Sequence, residues 1–180
     1  MKIAGIDPGI NGAAALIDAA YFSQAPEKMT VGDAIDMPTI GESTKREIDV
    51  LALVKWLKHW QPDHVYLEYV NAMPSIPGPD GKRRDMGAAS AFKMGLVVGQ
   101  IRTCVVGCKI PFTLVTSGKW KKAAGLSGGA RNKEASRQLA MRLFPECHNL
   151  LARKRDEARA EALLIARYGV IHGSHVSRAA

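Results

Sequence analysis

With 180 residues, 47% of them hydrophobic and three tryptophans among them, the chain has the length and apolar content of one domain with a substantial core, which excludes global disorder. A formal net charge of +8 calls for an anionic partner, with nucleic acid or a membrane surface as the leading classes. No apolar stretch reads as long enough to span a bilayer, and the first ten residues lack the pattern of a signal peptide. Cys104, Cys108 and Cys147 are odd in number and lack CxxC spacing, so they are expected to stay reduced in a cytosolic protein. The spacing around Cys147-His148 argues against a zinc site there.

The chain opens with an apolar run, Lys2 to Asp7, broken by Pro8-Gly9-Ile10-Asn11-Gly12 and followed at once by Ala13 to Asp18. This reads as a strand, a tight turn and an antiparallel return strand, with Asp7 at the strand end. A carboxylate beside a flexible turn can meet a metal or phosphate uncrowded, and it can equally bond its own turn. Residues 19 to 32 form an irregular insertion, and Ala34 to Pro38 resembles a third strand stopped by proline. Thr44, three residues before Glu47, has the form of a capping box for a helix with Val50, Leu53, Val54 and Leu57 on its inner face, closed at Pro62.

Residues 64 to 70, His-Val-Tyr-Leu-Glu-Tyr-Val, form the clearest central strand. An ionised glutamate inside such a run costs several kcal/mol unless it is paired or binds a cation, so Glu68 is the most informative acid in the chain. It could also face solvent at the strand end. Residues 71 to 87 are a Pro- and Gly-rich loop carrying Lys82, Arg83 and Arg84, suited to a binding loop or a solvated surface loop. The spacing predicts a helix over 88 to 106, with Phe92, Leu96 and Gly99 on a core-facing side and Gly95 and Gly99 permitting close packing. Ile110 to Val115 reads as a further strand.

From Thr116 to Arg131, Lys119, Lys121 and Lys122 surround Trp120, and a glycine-rich stretch leads to Arg131 and Lys133. Cations interleaved with an aromatic suit a phosphate backbone. Trp120 would either stack on a base or plug the core. A helix through Ser136, Leu139, Ala140 and Leu143 stops at Pro145. In the last helix, Ala158, Ala162, Ile165 and Ala166 mark the buried face; Glu161 points into that face, with Glu157 one turn earlier and Asp156 in the position of an N-cap.

Asp7, Glu68 and Glu161 are each the lone acid at the end, or on the buried face, of an apolar element. If the first and central strands are neighbours with the last helix across them, three or four carboxylates meet at one point. Hard oxygen ligands select magnesium or manganese, and in a basic protein such a cluster suggests two-metal phosphodiester cleavage with lysines gripping the backbone.

On these residues, the chain resembles RuvC-type Holliday junction resolvases of the RNase H-like superfamily, particularly their bacteriophage-type members. Gly5-Ile6-Asp7-Pro8-Gly9 is similar to their opening strand, and Tyr66-Leu67-Glu68 to their central-strand acid. Val115 to Lys122 with Lys133, and Arg159 to Ala166, resemble later family segments. The resemblance covers almost the whole chain. It implies a single α/β domain over residues 1 to 180, with an RNase H-like mixed five-stranded sheet and helices on both faces. It further implies a homodimer in the bacterial cytoplasm, phage-encoded or not, that nicks opposing strands of a four-way DNA junction with Mg²⁺, for which Mn²⁺ would substitute. No membrane partner or small-molecule cofactor is expected. Asp7, Glu68 and Glu161 would be metal ligands, and Lys133 a supporting lysine. Bacterial members carry a further acid or histidine where Ala158 stands here, so the fourth ligand would be Asp156 or Glu157. Asn71 occupies the place of a junction-stacking aromatic, which puts cleavage-sequence preference in question. The alternative is another nuclease on the same fold, acting on branched DNA or RNA–DNA hybrids. A sugar-kinase or actin-like ATPase would need a second phosphate loop, which is not found in the sequence.

Overall fold

Five strands form one mixed sheet in a computed structural model that describes residues 1–19, 29–70, 76–77, 83–84, 87–126 and 133–173. They are β1 (Lys2–Asp7), β2 (Ala13–Asp18), β3 (Thr30–Asp36), β4 (His64–Tyr69) and β5 (Phe112–Thr116), in the spatial order β3-β2-β1-β4-β5. β1, β2 and β3 are joined antiparallel, whereas β4 runs parallel to β1 and β5 parallel to β4. Side chains alternate across a sheet, so residue parity assigns each strand position to one of two cores. Ile3, Ala13, Ala15, Ile17, Tyr66 and Val115 face one layer, against α4 (Lys133–Leu143) and α5 (Glu157–His172). Ala4, Ile6, Ala14, Leu16, Val65 and Leu67 face the other, against α1 (Val50–Trp60) and α2 (Ala88–Gly107). Both faces are covered, which is why β1 and β4 read as continuous apolar runs.

α5 lies directly on the middle of the sheet. A Cβ at Gly5 would overlap the Ala162 carbonyl and the Ala166 amide, and one at Gly169 would overlap the Tyr66 ring. The two glycines therefore let the helix backbone touch β1 and let the β4 tyrosine lie against it. Arg159 adds a fork to the edge of the sheet, donating from Nε (2.7 Å) and its NH2 (2.9 Å) to the two Asp36 carboxylate oxygens.

Three sequence expectations need correction. Helix α1 begins at Val50 rather than near Thr44. Asp49 Oδ1 accepts the Ala52 N–H at 2.9 Å, while Glu47–Ile48 pairs with Thr39–Ile40 as a two-residue ladder. Backbone groups engaged in that ladder cannot also start a helix, so the Thr44/Glu47 box is not formed. In α2, the residues expected inside are outside: Phe92 is 73% exposed and Leu96 45%, with open space beside Gly95 and Gly99. Val97, Ile101, Cys104 and Val105 are the buried stripe. This helix is apolar around much of its circumference, so periodicity alone could not select the inner face. By length and composition it also suffices to cross a bilayer, contrary to the expectation that no segment does; among the described residues it is the only such helix.

Candidate metal centre

Parity carries the acids to one place. Asp7 shares its face of β1 with Ile3 and Gly5, and Glu68 shares its face of β4 with Tyr66, so both point toward α5. The parallel register pairs Ile6 with Leu67, which sets Asp7 and Glu68 side by side at the carboxyl ends of adjacent strands. Glu161 descends from the first turns of α5 onto the same spot. One ligand oxygen from each of Asp7, Glu68 and Glu161 lies within 4.8 Å of the others, each residue half-buried.

Three carboxylates this close repel one another, and burial adds to the cost of charging them. Burial, then Glu68 and Glu161, push the Asp7 carboxyl up to about 8, with Glu157 adding a smaller push. Glu68 is also raised, by burial first and then by Glu161, against the opposing effects of Lys121, Trp120 and Ser117. The Lys121 ammonium sits 3.0 Å from Glu161 Oε1, and the buried Ser136 hydroxyl donates to the same oxygen at 3.2 Å. The cluster is thus short of positive charge, and a lysine side chain supplies part of it.

α3 (Ser117–Ala123) follows β5 without a break. Because Val115 is paired with Glu68, Ser117 and Trp120 start beside that acid. They are three residues apart and so share one face of the short helix, as Lys121 does by its four-residue spacing. Trp120 is fully buried, so of its two expected roles it fills the core, and its assignment to the nucleic-acid contacts is corrected: the ring cannot stack on a base from there. Lys119 and Lys122 are exposed, whereas Lys121 is turned inward to the acids.

Asp156 lies in a 3₁₀ turn just before α5 and is covered by its partner Arg153. It accepts from the Arg153 N–H at 2.8 Å and from that guanidinium at 2.7 Å, which holds its carboxyl below the usual range. It makes no N-cap bond to α5 and lies outside the three-acid cluster, so its expected place among the ligands is not what the structure shows. Of the two alternatives, Glu157 is the one whose charge is felt at Asp7. Lys133 opens α4, but its side chain lies outside the described residues, as do Lys82 and Arg131. Arg83 and Arg84 are described by their backbone alone, which pairs with Ile76–Pro77. The positions of Lys121, Ser117, Ser136 and the Trp120 N–H could not be read from the chain, although the i, i+3, i+4 spacing after an apolar strand was a usable signal for three of them.

The fold can be matched to solved structures. Thermus thermophilus RuvC in complex with a Holliday junction substrate superposes with a TM-score of 0.66 at 16% identity, covering 98% of this chain and 97% of that one. The chain has the RuvC resolvase fold. A second T. thermophilus RuvC structure gives a TM-score of 0.58 at 18% identity, over 95% of this chain and 96% of that one. The fowlpox virus Holliday junction resolvase also shares the RuvC-like architecture, with a TM-score of 0.54 at 14% identity over 92% and 94% of the two chains. No protein-family model matches the chain, and no curated protein matches it in sequence. The RuvC-like fold is therefore carried by topology, with little sequence identity beneath it.

Proposed function

We propose that this protein is a structure-selective endodeoxyribonuclease that nicks opposing strands of four-way DNA junctions by two-metal phosphodiester hydrolysis. The observation that carries this reading is the convergence of Asp7, Glu68 and Glu161 at the strand ends of a RuvC-like sheet. The donors suit a hard divalent cation: all are carboxylate oxygens, and burial with the neighbouring acids outweighs Lys121 and holds the Asp7 carboxyl up at about 8. Asp7, Glu68 and Glu161 would hold the ions, with Glu157 as the fourth acid and Lys133 in support. Bound there, Mg²⁺ (or Mn²⁺) supplies activation of a water and stabilisation of the departing 3′ oxygen.

The chain's own residues supply the rest. A cleft of about 430 Å³ opens beside Asp7 between the Pro8–Gly12 turn and α2, lined also by Ser90 and Lys93, and suits a phosphodiester approaching Asp7. Lys121 places a positive charge at the cluster where phosphate charge must be neutralised. Lys119 and Lys122, exposed on the same helix, suit the flanking phosphates, as do Lys82, Arg83, Arg84 and Arg131 by sequence. The exposed apolar face of α2 suits a homodimer contact, which would present two centres to two opposing strands.

The test is a synthetic four-way junction with labelled strands. Purified protein with Mg²⁺ should make paired nicks and spare linear duplex. Glu68→Gln should lower cleavage about a hundredfold or more while leaving junction binding intact. Equal cutting of RNA–DNA hybrid would replace this reading with the broader nuclease on the same fold, and undiminished cleavage by the glutamine variant would overturn the site.

A further inference from the structure

The apolar stripe of α4 opens on a hydroxyl. Ser136 stands three and four residues before Leu139 and Ala140, which are buried in the core shared with α5, and it is itself only 2% exposed. With Asp156 it is one of two hydrophilic side chains buried among the described residues. A core hydroxyl carries a desolvation penalty that only a partner offsets, and alanine would fill the same place without it. Serines within helices commonly turn the hydroxyl back to their own backbone, one turn earlier. Ser136 instead donates across to α5, to Glu161 Oε1 at 3.2 Å, 25 residues away in sequence. The Lys121 ammonium meets the same oxygen at 3.0 Å. One carboxylate oxygen thus has two donors of different character. One is neutral and enclosed by the core; the other is a cation on a flexible stem, with 34% of its side chain exposed.

We propose that Ser136 is a positioning residue of the metal centre, its hydroxyl holding Glu161 in place from α4, while Lys121 competes with the cation for that same carboxylate. The inference rests on the reading of the acid cluster as a metal centre and deepens it. A divalent ion beside Glu161 repels the Lys121 ammonium, but it leaves undisturbed a hydroxyl whose hydrogen already points at the carboxylate. The two donors therefore act on metal affinity with opposite sign. Ser136 orders the Glu161 side chain in advance, so less freedom is lost when the ion arrives. Groups that orient a ligand in this way typically change metal affinity about 10- to 100-fold when removed. Lys121 has to give way, which weakens binding of the ion and frees its charge for a phosphate.

The discriminating experiment is Mn²⁺ binding, followed by the loss of the free-ion paramagnetic resonance signal, alongside thermal melting in a chelator. Ser136→Ala should melt close to the wild-type temperature in the chelator, because the lost bond is offset by removing a hydroxyl from the core. It should nevertheless bind Mn²⁺ about tenfold more weakly. Ser136→Thr keeps the hydroxyl and should recover the affinity. Lys121→Met, which removes the competing charge, should bind Mn²⁺ more tightly than wild type. Ser136→Ala with wild-type affinity would reduce the serine to a structural contact and overturn the proposal. So would a threonine variant that melts like wild type yet binds as weakly as alanine, or weaker binding by Lys121→Met. Wild type that binds Mn²⁺ but leaves junctions uncut would overturn the proposed nuclease function without touching this inference. Wild type that fails to bind Mn²⁺ overturns both.

Discussion

Asp7 ends a buried strand with its carboxyl pushed up to about 8, first by burial and then by Glu68 and Glu161. Between its ordinary value of 3.8 and about 8, the folded protein keeps a proton that the unfolded chain has released. The unfolded state then binds fewer protons, so the metal-free protein loses stability as pH rises through that window. Asp7→Asn removes the titration. In a chelator, that variant should melt at a higher temperature than wild type at pH 8 and at nearly the same temperature near pH 4, each unit of displacement being worth about 1.4 kcal/mol. Saturating Mg²⁺ should raise the wild-type melting temperature and close the gap, because a cation replaces the proton. Melting curves that stay parallel across the pH range would remove the strain from Asp7. At this scale the sequence was most legible where a charged residue broke an apolar run. Asp7, Glu68 and Glu161 stand out for that reason. Trp120 and Lys121 stand out too, as a cation–aromatic cluster, but their inward direction was not legible, because which way each points depends on the angle at which α3 leaves β5.

At the scale of elements, the other strands and the two last helices were legible because their patterns are one-sided or bounded by proline and glycine, whereas β3 starts at Thr30, inside the stretch read as an insertion. α4 stops before Pro145 as expected, and α5 begins at Glu157, where the acids mark its first turn. What could not be read was the choice between two apolar faces. α2 carries Val97, Ile101, Cys104 and Val105 inward and Phe92, Leu96 and Val106 outward, and only the sheet decides between the stripes. In the proposed dimer this exposed apolar stripe would be the contact surface. Phe92→Asp, at a position 73% exposed, should leave the monomer's melting temperature almost unchanged while shifting the protein from dimer to monomer in light scattering. Unchanged mass for the variant, or a monomeric wild type, would contradict a dimer built on α2. The same reasoning explains the α1 start. Asp49 and Thr44 are both competent caps, and the decision fell to a short strand pair that uses the backbone in between.

Across the whole molecule, a chain with a formal charge of +8 collects three acids at one point and leaves Lys119 and Lys122 exposed nearby. The parallel pairing of β1 with β4 and the glycine contact between β1 and α5 bring together residues 61 and 93 positions apart in sequence (68 − 7 and 161 − 68), which no local pattern could reveal. The sheet gathers them at its strand ends, and the proposed function stands on their holding cations. Crystals grown with Mn²⁺ and measured at its absorption edge test this directly. Anomalous density bonded to carboxylate oxygens of Asp7, Glu68 and Glu161 is expected, with the Lys121 ammonium displaced from Glu161. Manganese bound elsewhere, or a vacant cluster at saturating Mn²⁺, would contradict the proposed function.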